Sequence, residues 1–162
     1  MKAQNIMTSG VKSCQANSTL AAAATIMWHN DCGSVPVVDD AEKVIGIITD
    51  RDICMALAFR DQIASDVTVG EIISGPVFTC DADDNIEDVL EIMRNQKLRR
   101  LPVVDAAGLL SGILSLNDIV LHAKRGESKK GAHVSHKEVM ATLKAICAHR
   151  DHLSDAQSAP VE

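Results

Sequence analysis

Two halves of the chain carry the same run of apolar and polar positions. In the first, Val11-Lys12-Ser13-Cys14 reads as a short strand. Ser18 then caps a helix to about Asn30, with Leu20, Ala23, Ala24 and Met27 along one face. A β-type run follows in Val35-Pro36-Val37-Val38, then a turn over 39–43, then Val44-Ile45-Gly46-Ile47-Ile48, and a helix from about Asp50 to Phe59. The second half repeats this: Val77 to Cys80, a helix from about Asn85 to Gln96 with Ile86, Val89, Leu90 and Met93 on one face, strands Leu101 to Val104 and Leu109 to Leu114, and a helix from Leu116 to about Lys124. The β-branched runs suit strands covered on both faces. Pro36 and Pro102 suit an edge or the start of a strand. Ile26 and Ile92 fall off the main helical stripes, so each first helix is expected to bury a second face.

One constant offset of 66 relates the halves. It carries Pro36-Val37-Val38-Asp39 onto Pro102-Val103-Val104-Asp105, Gly46 onto Gly112, Asp52 onto Asp118 and Cys14 onto Cys80, and about a third of positions from Ile6 to Ile53 match their partners. This is an internal duplication. The expected fold is a mixed α+β class, with two β-α-β-β-α repeats related by a pseudo-twofold over 1–60 and 61–125. Neither repeat holds enough apolar material to be comfortably stable alone, so the two are expected to share one core. After Arg125 comes a polar linker over 126–134. Ser135-His136-Lys137-Glu138 then forms a capping box opening a C-terminal helix over 135–152, striped by Val139, Leu143, Ile146 and Cys147. That stripe should cover part of the module or a second subunit, and 153–162 reads as a flexible tail.

Composition narrows the function. Nearly half of the 162 residues are apolar, but Trp28, Phe59 and Phe78 are the only aromatics, so the core must be aliphatic. A net charge of −6 argues against a nucleic-acid partner. No run approaches a membrane span, and no signal-type apolar segment follows Met1, so a soluble cytoplasmic protein is expected, with no membrane partner. The five cysteines are odd in number and form no C-x-x-C pair, which reads as buried reduced thiols. The pairs His133/His136 and His149/His152 find no third ligand, so no metal is expected. Without a P-loop, nucleophile elbow or metal-ligand pattern, the chain is not expected to be an enzyme or to require a cofactor.

The pattern h-P-V-V-D, a short turn, then G-h-h-[T/S]-x-x-D, met twice between Ile6 and Arg125, resembles the tandem CBS (cystathionine-β-synthase-type) domain pair. Arg99-Arg100-Leu101 with Gly112 to Asp118 is particularly similar to the nucleotide-sensing γ subunits of AMP-activated kinase. The resemblance implies a disc-shaped homodimer and two clefts between repeats. It also implies a regulatory module that binds adenine nucleotides such as AMP, ADP or ATP and signals to an effector protein. The alternatives are a ligand-free interaction scaffold or a binder of S-adenosylmethionine or NAD.

Residue types supply a chemistry for such clefts. Asp52 or Asp118, just inside a helix, suits the hydroxyls of a ribose, and Thr49 or Ser115 at the helix start suits a phosphate. Arg99 and Arg100 offer forked donors, while Gly33 and Ser34, with Val35 after them, let backbone approach a flat base. Thr49-x-x-Asp52 and Ser115-x-x-Asp118 are equally capping boxes that need no ligand. Arg51 suits either a surface ion pair or a phosphate. The cleft near Asp118 is expected to be the better site.

Overall fold

The computed structural model describes residues 1–126 and 133–148. The strands are β1 (Thr8–Ser9), β2 (Cys14–Gln15), β3 (Ser34–Val38), β4 (Val44–Thr49), β5 (Cys80–Asp81), β6 (Arg100–Val104) and β7 (Leu110–Ser115). The helices are α1 (Leu20–His29), α2 (Asp50–Phe59), α3 (Ile86–Gln96), α4 (Leu116–His122) and α5 (His136–Cys147). The class is mixed α and β, with one sheet ordered β2-β3-β4 and another ordered β1-β7-β6-β5.

Local sequence explains most boundaries. Thr19, not Ser18, caps α1, its hydroxyl accepting from Ala22 N at 3.2 Å, while Ser18 Oγ accepts from Gln15 N in the turn before it. α1 buries Leu20, Ala23 and Met27, and α3 buries Ile86, Val89, Leu90 and Met93. Ile26 and Ile92 are half-buried against the two cores, the second face expected of each helix. β3 is buried throughout, whereas β4 alternates, with Ile45 exposed and Gly46 and Ile48 buried. Pro36 and Pro102 therefore sit inside central strands, not at strand starts. Pro36 pairs with Ile47, while the short β2 reaches only Val37 and Val38, so the proline stands where its strand has one neighbour.

The expected single core is replaced by two. One gathers Cys14, Leu20, Val35, Val37, Ile48 and Ile53, and the other Cys80, Ile86, Leu90, Met93, Leu101, Leu114 and Ile119. Each is completed by a segment from across the pseudo-twofold. Ala3 and Ile6 enter the second core, while Val67 and Val69 enter the first. The backbone bonds of this exchange obey the same offset. Ala3 N donates to Asp84 O at 2.9 Å and Val69 N to Ser18 O at 2.8 Å; Ile86 N donates to Met1 O and Leu20 N to Val67 O. Lys43 and Leu109, themselves partners under the duplication, pair with each other where the pseudo-axis passes. The two units are thus interlocked by exchanged leads, which answers the size problem without merging the cores.

The symmetry breaks at one edge. Thr8 and Ser9 pair with Ile113 and Gly112, whereas Ser74 and Gly75 form no strand beside β4. A methyl group at Gly112 would stand 2.6 Å from Thr8 O, while at Gly46 it would meet only the end of the Ile73 side chain, at 3.0 Å. Gly112→Ala should therefore cost about 1–3 kcal/mol of unfolding free energy through overpacking, and Gly46→Ala clearly less. Urea denaturation of the two variants checks this, and equal midpoints would refute it.

α5 begins at the capping box read from sequence, Ser135 Oγ accepting from Glu138 N and Glu138 accepting from Ser135 N. It packs on α3 and, at its start, on α4. Its inward residues are Val139, Thr142 and Ile146; Leu143 and Cys147, expected in the stripe, point outward. His149, His152 and the tail 153–162 lie outside the described residues.

Candidate ligand-binding clefts

A cleft between the units has a volume of about 560 Å³, within the range of roughly 300–1,000 Å³ usual for small-molecule sites. Its floor comes from both repeats. The end of α1 and the start of β3 supply Asn30, Asp31, Cys32, Gly33 and Ser34; the ends of β6 and β7 and the first turn of α4 supply Arg100, Ser115, Asn117 and Asp118. The Thr8 to Lys12 segment closes one side. Within each unit the antiparallel register sets Ser34 beside Thr49 and Arg100 beside Ser115, and the cleft takes Ser34 from one pair and both Arg100 and Ser115 from the other.

Asp118 has two tasks available to it. Its Oδ2 accepts from Ser115 N at 2.8 Å and Ser115 Oγ at 2.6 Å, completing the α4 cap. Its Oδ1 has no hydrogen-bond partner among the described residues, and the residue lines the cleft. Arg100 is half-buried, and its Nη1 lies near Gly33, 3.6 Å from where a Cβ would stand. A side chain at Gly33 would crowd the Asp50 carboxylate, 2.9 Å from that point, while meeting the guanidinium only at ordinary contact distance.

A second cleft of about 440 Å³ lies at the pseudo-equivalent place. It is walled by Ile47, Ile73, Val77, Phe78, Leu98 and Pro102, with Arg100 its only charged lining residue. Arg100 therefore borders both clefts. Thr49 and Asp52 make the same capping box as Ser115 and Asp118, with Thr49 N donating to Asp52 Oδ2 at 2.9 Å, but neither lines a cleft. Arg51, Asp52 and Arg99 are exposed away from both cavities, and Val35 is buried in the first core. Of the residues singled out from sequence, the first cleft gathers Gly33, Ser34, Arg100, Ser115 and Asp118.

Lys12, Asn30, Asp31 and Asn117 escaped the sequence reading. Asp31 carried a readable signal: it maps onto Lys97, and both end their helices in the left-handed region, at φ 48° and 54°. Among the described residues no group of three or more His, Cys, Asp or Glu is placed to hold a metal ion. The cysteines divide in two. Burial pushes the Cys14 thiol up to about 11 and, with the charges of Asp84 and Asp81, the Cys80 thiol up to about 12. Cys32, Cys54 and Cys147 are exposed, contrary to the expectation of buried thiols throughout. No helix among the described residues is long and apolar enough to cross a membrane.

Comparison with known proteins matches this architecture. The family model described as CBS domain matches residues 3–59 and again 69–125. Hypoxic response protein 1 of Mycobacterium tuberculosis is 30% identical over 146 residues, spanning 90% of this chain and 94% of that protein. A crystal structure of Hypoxic Response Protein I with two coordinated zinc ions superposes with a TM-score of 0.70 at 31% identity, over 76% of this chain and all of that one. The CBS domain pair of protein MJ0100, in complex with 5′-methylthioadenosine and S-adenosyl-L-methionine, gives 0.67 at 28% identity, over 75% of this chain and 94% of that one.

Proposed function

The chain belongs to the CBS-domain family, as a tandem pair, and from that premise we propose that it is a regulatory module that binds an adenosine-containing ligand in the Asp118 cleft. The observation that carries this reading is the convergence of Asp118, Ser115 and Arg100 from one repeat with Gly33 and Ser34 from the other around one cavity of about 560 Å³. A ribose hydroxyl donates to the unpartnered Oδ1 of Asp118. An anionic end of the ligand is drawn to Arg100 and Lys12, and the base lies against the backbone at Gly33 and Ser34, where no long side chain intervenes. The complex of the MJ0100 pair with two adenosine-containing molecules supports the ligand class. AMP, ADP and ATP fit it as well as S-adenosylmethionine does.

Binding then reaches an effector protein through the two interlocked units, and the module works as a homodimer. Its five cysteines are all unpaired, which suits a reducing compartment such as the cytoplasm. The rival reading, a scaffold with empty clefts, is favoured by the capping boxes, which give Ser115 and Asp118 a purely structural use.

Calorimetric titration against AMP, ADP, ATP, S-adenosylmethionine and NAD separates the two. We expect at least one adenosine compound to bind below millimolar concentration with one high-affinity site per chain, because only one cleft carries the carboxylate. No heat from any of them below millimolar would leave the scaffold reading in place.

A further inference from the structure

The cleft of about 440 Å³ differs from the Asp118 cleft by a consistent exchange of its lining. At the offset of 66, Lys12 is answered by Phe78, Cys32 by Leu98 and Gly10 by Pro76; the first of each pair lines the Asp118 cleft and the second lines its counterpart. Thr49 and Asp52, the equivalents of Ser115 and Asp118, do not line it, so no carboxylate is present there to accept from a ribose. Thr8 and Ser9 pair with β7, but Ser74 and Gly75 leave the edge of β4 open, and the cavity runs along Ile45, Gly46 and Ile47. The second cleft thus keeps the space of the first and loses its polar lining.

One cation remains in it. Arg100 is half-buried and, among the described residues, makes neither a hydrogen bond nor an ion pair. The Asp50 carboxylate approaches the same glycine, Gly33, yet the two do not pair. A half-buried cation without a partner favours an anion from outside the chain. In the second cleft that anion meets no other charge, and a wall of Ile47, Ile73, Val77, Phe78 and Leu98. A single negative charge is matched there, whereas a second, as on a phosphate monoester, would be left unpaired in an apolar cavity. The half-buried ring of Phe78 suits a flat apolar body beside it.

We propose that the second cleft binds a small apolar monoanion, an aryl or alkyl carboxylate, with Arg100 as its counter-ion. Because Arg100 also lines the Asp118 cleft, one guanidinium serves two sites. An anion in either cleft draws it away from the other, or sets a like charge across it. Carboxylate and nucleotide phosphate therefore weaken each other's binding, reciprocally, as linkage requires. The site goes beyond the reading of the Asp118 cleft; only the antagonism rests on that reading.

Amide-resolved NMR of the isotope-labelled full chain, titrated with phenylacetate and with phenylacetamide, tests both parts. Phenylacetate should give saturable shifts at Ile45 to Ile47 and Ser74 to Phe78. Phenylacetamide, the same body without the charge, should bind about tenfold more weakly or worse. Arg100→Gln should remove that preference for the acid. Ile45→Glu, at an exposed position on the cleft wall, sets a like charge against the anion and should weaken phenylacetate while sparing phenylacetamide. It decides the matter even if Arg100→Gln fails to fold, which the dispersion of its spectrum reports. AMP should weaken phenylacetate severalfold, and adenosine, which lacks the phosphate, should not. Equal binding of acid and amide, shifts centred on the Asp118 cleft, or no saturable binding overturns the site. A phenylacetate affinity that AMP leaves unchanged overturns the sharing of Arg100, and the titration of AMP alone shows whether the Asp118 reading falls with it.

Discussion

Replacing Asp118 by asparagine should weaken binding of the adenosine ligand by about tenfold to 150-fold, the loss expected when a charged hydrogen-bond partner worth about 1.5–3 kcal/mol is removed. Its carboxylate does two things at once, and the substitution is chosen to separate them. Oδ2 accepts from Ser115 N and Oγ, and an asparagine carbonyl can still accept there. The other position would become an amide donor facing the cleft, where the ribose needs an acceptor. Asp52→Asn is the matched control. Asp52 makes the same cap with Thr49 at 2.9 and 2.7 Å but lines neither cleft, so it should lose the same small amount of stability and none of the affinity. Titration of both variants with whichever adenosine compound the wild type binds is the measurement. Equal loss of affinity in the two would remove Asp118 from the site and return it to capping alone.

Ile6→Ala should destabilise the protein by about 2–5 kcal/mol, the usual cost of emptying a buried isoleucine site. The effect should fall on the unit that is remote in sequence. Ile6 is buried in the second core with Cys80, Ile86 and Met93, not in the first core with Cys14 and Leu20. The buried cysteines report on the two cores separately, since each thiol is held in its unreactive protonated form by burial. Under native conditions a thiol reagent should spare Cys14 and Cys80 in the wild type. In Ile6→Ala, labelling followed by peptide mass analysis should find Cys80 newly modified and Cys14 still protected. Equal rates at the two would mean that the cores open together, and that the exchange joins them into one cooperative unit.

These outcomes turn on which parts of the protein are local and which are not. The duplication at an offset of 66, the strand and helix order, and the capping boxes at Thr49, Ser115 and Ser135 all follow from residues near one another in the chain. Hydrophobic period and side-chain-to-backbone bonds act over a few residues, so a linear reading reaches them. The same holds for Ser115, Asp118, Arg100, Gly33 and Ser34, whose residue types suit a nucleotide wherever they are placed.

Tertiary structure alone decided the rest. Nothing between Met1 and Ser9 states that these residues complete the second core, because the bonds from Ala3 N to Asp84 O and from Ile86 N to Met1 O link positions more than 80 residues apart. The preference for Asp118 over Asp52 was legible in the sequence, but its geometric ground was not local. Both residues close the same kind of helix cap and precede an isoleucine; what separates them in space is the wall opposite. Asp118 faces a cleft floored by Gly33 and Ser34, whereas the equivalent cleft, walled by Phe78 and Leu98, does not reach Asp52. Likewise the 3.6-residue period of α5 is compatible with either of two apolar stripes 100° apart, and only packing against α3 selected Val139, Thr142 and Ile146 for the inside. Duplication makes the two halves alike in pattern, and the side chains brought across the pseudo-twofold make them different in use.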